Sequence, residues 1–100
     1  MKPVLAAAFG RSERMVGRRI GGEYILVPLV GWGADLDSIF NLNRVGAFVW
    51  ERLDGGTNGS AIVDGLVDRF AVDRETAEAD YVEFIEHLRS IGAVTGPTPL

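Results

Sequence analysis

The sequence predicts an α+β domain in which a three-stranded antiparallel sheet precedes three helices. Two observations carry that prediction. Segments rich in β-branched and aromatic residues, punctuated by glycine pairs, run as far as Leu42, and from Asn43 the hydrophobic period changes from two to 3.6. A chain of 100 residues, 47% apolar and 24% charged, suits one small domain with its own core.

Residues 1–13 read as a loose tail, 14–94 as the domain, and 95–100, with Pro97 and Pro99, as an extended C-terminal tail. Met15 to Ile20 is a short, half-polar strand. Gly21-Gly22 then supplies a hairpin turn, because glycine reaches positive φ without steric cost. Glu23 to Val30 is apolar on both faces, as befits a central strand, with Pro28 expected at its end because it lacks an N–H. Gly31-Trp32-Gly33 breaks the pattern. Asp35 to Leu42 forms the third strand, with Leu36, Phe40 and Leu42 on one face and Asp35, Asp37 and Asn41 on the other, a charge pattern that suits a sheet edge.

The first helix is capped by Asn43 or Asn41 and buries Val45, Phe48, Val49 and Leu53; Asp54-Gly55-Gly56 is expected to end it with a left-handed glycine. Thr57 caps the second, which carries Ile62, Val63, Leu66, Val67 and Phe70 at spacings of three and four. Asp73 opens the third and longest helix. Ala77, Tyr81, Phe84, Ile85, Leu88 and Ile91 line one side of it, and Gly92 stops it. A small sheet followed by three helices is a winged helix-turn-helix-like arrangement.

Residue chemistry argues against an enzyme. There is no cysteine and one histidine, so thiolate sites, thiol nucleophiles and multi-histidine metal sites are excluded, and a lone histidine on a helix reads as a surface residue. No glycine-rich phosphate loop is present and no cofactor is implied. No stretch is long and apolar enough to span a membrane, and the N-terminus makes a weak signal peptide, so the expected location is the cytoplasm. Net charge is −4, and the nine acidic residues of 54–100 against three basic ones disfavour nucleic acid, whose phosphates demand cations. The row Asp73, Glu75, Glu78, Asp80, Glu83 and Glu86 reads as a solvated face that could also steer a basic peptide. Trp50, off the main stripe of its helix, reads as a packing residue or a partner anchor.

The edge strand is the physical route to function. Its unpaired N–H and C=O groups can accept an extended peptide as an added strand, and can also pair with a second copy of the chain. Phe40-Asn41-Leu42-Asn43, then Gly46-Ala47-Phe48-Val49-Trp50 and Leu53-Asp54-Gly55, resembles the signature of the PqqD-like family. Ile62, Val63, Leu66, Phe70, Val72, Asp80, Phe84, Leu88 and Gly92 extend the likeness over residues 15–94.

The resemblance implies a RiPP recognition element: a non-catalytic chaperone for ribosomally made, post-translationally modified peptides. Such a domain binds the leader of a precursor peptide beside its third strand and against its third helix, and presents the precursor to a modifying enzyme, often a radical SAM maturase. Carried onto this chain, the strand contacts fall on Asp37, Ser38, Ile39 and Phe40, and the helix contacts on Glu78, Val82, Ile85 and Arg89, with Ile85 equally readable as core. Asn41, Asn43, Gly46 and Asp54-Gly55 match the signature in positions that suit turns and caps. Two other readings compete: a winged-helix DNA-binding protein, which needs a basic recognition helix, and a structural subunit of an enzyme complex.

Overall fold

Chain reversal at Gly21-Gly22 organises the larger of two sheets. In the computed structural model, which describes residues 3–29 and 40–97, both glycines have positive φ (56° and 91°), the geometry of a two-residue hairpin loop whose twist matches that of its strands. The loop joins β2 (Met15–Ile20) to β3 (Glu23–Pro28) in unbroken antiparallel register from Met15↔Pro28 to Ile20↔Glu23. β4 (Phe40–Leu42) pairs with the other side of β3, Leu26 facing Phe40 and Tyr24 facing Leu42. The order β2-β3-β4 makes β3 the central strand, as its two apolar faces predict, with Pro28 at its end.

Of the expected N-terminal tail, residues 3–11 are ordered elements, while residues 1–2 lie outside the described residues. Pro3–Ala6 forms a short helix, α1, and Ala8–Arg11 a strand, β1. β1 lies between β5 (Asp54–Asn58) and β6 (Val94–Thr95) in a second antiparallel sheet. Leu5 and Phe9 are 2% and 1% exposed, so this segment is part of the core. The expectation failed because four-residue elements show too little periodicity to register, and because β1 acquires its partners only from residues more than forty positions away. Thr95, expected in the C-terminal tail, belongs to β6.

Three helices follow β4: α2 (Arg44–Glu51), α3 (Gly59–Phe70) and α4 (Arg74–Ser90). Asn43 caps α2, its Oδ1 accepting from Gly46 N at 2.8 Å, and Asp73 caps α4 by accepting from Thr76 N at 2.7 Å. Asn58, not Thr57, caps α3, since Thr57 is drawn into β5. Asp54-Gly55-Gly56 likewise forms the start of β5 rather than a helix stop; Asp54 Oδ1 accepts from Gly56 N and Thr57 N and holds the turn into it. Those bonds hold the Asp54 carboxyl below its ordinary range, because they favour the charged form.

The core gathers both sheets and all four helices. Trp50, Tyr81, Phe9, Leu26, Leu53 and Ile62 are among its largest fully buried side chains. Trp50 is therefore a packing residue, 2% exposed. Gly17 makes room for it: a Cβ there would come within 2.5 Å of the Trp50 indole nitrogen.

Candidate functional site

Between β4 and α4 lies an open groove. One stretch, of about 330 Å³, is lined by Leu26, Phe40 and Leu42 from the sheet and by Phe84, His87, Leu88 and Ile91 from α4. It continues into a second stretch of about 320 Å³, where Asn43, Val45 and Gly46 of α2 face Asp80, Glu83, Phe84 and His87. The floor is apolar and the far end acidic.

Each wall has a local cause. Period-two alternation in β4 turns Phe40 and Leu42 inward and leaves Asn41 exposed. The Phe40 ring meets His87 edge-on, with centroids 5.9 Å apart and planes at 83°. Gly46 lets Phe84 lie across the first turn of α2: a Cβ there would stand 3.3 Å from the Phe84 ring and from Asn43 Oδ1. The signature glycine thus sets the helix spacing that opens the groove.

The outer edge of β4 borders this groove. Among the described residues β4 pairs with β3 alone, and the C-terminal strand β6 pairs with β1 in the other sheet. Alternate residues of such an edge point N–H and C=O groups outward with no strand to take them.

Of the site residues expected from sequence, Phe40 lies in the groove. Asp37, Ser38 and Ile39 lie outside the described residues. Glu78, Val82, Ile85 and Arg89 do not face β4. Ile85 is 0% exposed in the core, and Val82 packs against that core. Glu78 pairs with Arg74 at 3.1 Å, and Arg74 also binds Asp64 and Ser60 of α3. The Arg89 guanidinium lies over the Phe9 ring of β1, 5.7 Å from its centroid.

The buried stripe of α4 has two flanks, and these four residues follow the one packed toward α3 and β1. The groove uses the other, at Asp80, Glu83, Phe84, His87 and Ile91. Sequence reasoning read Asp80 and Glu83 only as part of an acidic face and His87 only as a surface residue, although the spacing of four between Glu83 and His87, beside Phe84, places them on one face.

The acidic row divides accordingly. Asp73 caps α4, Glu78 is tied to Arg74, and Glu86 lies 3.8 Å from Arg89. Asp80 and Glu83 line the groove and make no ion pair among the described residues. α4 carries Arg74 and Arg89 against Glu75, Glu78, Asp80, Glu83 and Glu86, a charge balance unlike the basic recognition helix that DNA binding requires. Among the described residues no cluster of His, Asp or Glu could hold a metal ion, and no helix is long and apolar enough to cross a membrane.

The fold is winged-helix-like, with a strand edge that is unpaired among the described residues beside a helix-walled groove. The chain belongs to the PqqD family: the family profile described as "Coenzyme PQQ synthesis protein D (PqqD)" matches residues 23–94. A comparison with curated proteins finds no match.

Two solved structures are similar. "TbiB1 in Complex with the TbiA(beta) Leader Peptide" shares 29% identity at a TM-score of 0.71, over 87% of this chain and 95% of that one. "Lasso peptide synthetase B1 complexed with the leader peptide" has a TM-score of 0.73 and 20% identity, covers 90% of this chain and 100% of that one, and supports the fold.

Proposed function

We propose that this chain is a non-catalytic peptide chaperone that binds the leader of a ribosomally made precursor by strand addition and presents it to a modifying enzyme. The observation that carries the reading is the outer edge of β4, unpaired among the described residues and running beside a groove walled by Phe84 and His87. A leader laid there satisfies the outward N–H and C=O groups, and its inward side chains reach the apolar floor. Asp80 and Glu83 favour a leader with a basic residue opposite them.

The family and the leader-bound state of the structural relatives support the same reading. Its setting is the cytoplasm, where such a precursor is made. The test is a titration of isotopically labelled chain with the synthetic leader of its cognate precursor. Amide shifts should concentrate at Phe40–Leu42 and along Asp80–Ile91, and a saturating leader that moves neither region overturns the proposal.

A further inference from the structure

On the other side of α2 from the groove, four arginines surround two aromatic rings. Arg19 of β2, Arg44 and Arg52 at the two ends of α2, and Arg69 near the end of α3 line an open depression of about 560 Å³ that also takes in Phe48, Phe70 and a single acidic residue, Glu51. The two rings pack edge-to-face with centroids 5.6 Å apart and form an apolar centre. In a chain of net charge −4, this concentration of positive charge stands out.

The four arginines fall into two kinds. Two are held in place: Arg52 lies over the Phe48 ring, 3.4 Å from its centroid, and donates to the Phe48 carbonyl at 3.0 Å. Arg19 lies 5.4 Å from the centre of the Tyr24 ring and 3.5 Å from Glu51. The other two, Arg44 and Arg69, make no ion pair among the described residues.

Arg44 is also badly placed for its own helix. It occupies the first position of α2, where the exposed N–H groups oppose a cation, and no acidic residue accompanies it in that turn. Neither helix stability nor core packing accounts for it.

We propose that this depression docks a carboxylate-rich segment of a partner protein, with an apolar side chain of that segment seated on Phe48 and Phe70. Guanidinium groups match carboxylates with two parallel hydrogen bonds, and two arginines already fixed by the fold lose little freedom on binding. Arginine beside aromatic rings is also the composition of interface centres that carry most of the binding energy. A nucleic acid fits less well, because Glu51 lies in the depression and Asp68 directly precedes Arg69, and both repel phosphates. The surface and the peptide groove lie on different faces of α2, so both can be filled at once.

The test uses the full chain with decaglutamate and a ten-residue thymidine oligonucleotide as probes at low salt, and Arg44→Glu/Arg69→Glu as the variant. Both substituted residues are exposed, and the variant should keep its melting temperature. Decaglutamate should shift amides of residues 44–52 and 69–70, and should bind the variant about tenfold more weakly, as expected for two reversed surface charges. Leader binding should be unchanged, which separates this surface from the groove. Equal affinity of decaglutamate for both proteins, tighter binding of the oligonucleotide at the same amides, or self-association of the chain that the variant abolishes would each overturn the proposal.

Discussion

The two flanks of α4 carry similar sequence and lead opposite lives. On one, Glu78, Val82 and Arg89 are taken up by the rest of the fold: Arg74 and α3 engage Glu78, and Phe9 of β1 lies under Arg89. On the other, Asp80, Glu83, Phe84 and His87 face a three-residue strand whose far edge has no partner among the described residues. The difference comes from residues 3–11. By folding into α1 and β1 they cover one flank, and no equivalent segment among the described residues covers the other.

The covered flank should break most dramatically. Phe9→Ala removes a ring that is 1% exposed and should cost about 3–5 kcal/mol, measurable by urea unfolding. A loss below about 1 kcal/mol would return residues 1–13 to the status of a tail.

Next in size is the contrast between flanks. Phe40→Ala with His87→Ala removes an aromatic pair from the groove and should weaken leader binding by about tenfold or more, as loss of a central interface contact does. Arg89→Ala on the far flank should leave leader affinity within about twofold. Titration calorimetry on both variants separates the flanks, and the reverse ranking would put the site on the side that the sequence suggested.

The smallest effect concerns Tyr81, which lies between the flanks. Its ring is 0% exposed, its hydroxyl has no hydrogen-bond partner among the described residues, and burial pushes the phenol up to about 12 from an ordinary value of 10. The protonated form is the one the fold accepts. Stability from this group is therefore complete below pH 10 and declines as pH rises toward 12. Tyr81→Phe should remove that alkaline decline and add about 1 kcal/mol at neutral pH, since an unmet buried hydroxyl disappears. Thermal melts across pH 9–12 should show the two curves diverging only above pH 10; parallel curves would mean that the hydroxyl finds a partner.

Much of this was legible one residue at a time. Gly21-Gly22 read as a tight turn, Asp73 as a cap, Asn43 as one of two candidate caps, and Ala77, Tyr81 and Leu88 as a buried seam that Ile85 joined in one of its two readings, because each depends on neighbours within four positions. The end of the third strand was legible too, through the alternation that turns Phe40 and Leu42 inward; the rest of that expected strand, residues 35–39, lies outside the described residues. Asp54-Gly55 misled for a related reason: a glycine after a helix has the same local signature whether the chain stops there or continues into a strand, and β1 decides which.

By itself, then, the sequence determined the β2–β3 hairpin, the three long helices and their order, most of the buried seam of α4 and the membership in the PqqD family. It could not determine which side of that seam would be left open. A helix with an apolar stripe is symmetric about it as far as periodicity is concerned, and the symmetry is broken only when β1, β5 and β6 assemble from three distant parts of the chain. The same holds for the arginine surface, where residues 19, 44, 52 and 69 have no common spacing and meet only because β2, α2 and α3 pack together. Local interactions choose conformations; long-range packing chooses which faces remain to meet a partner.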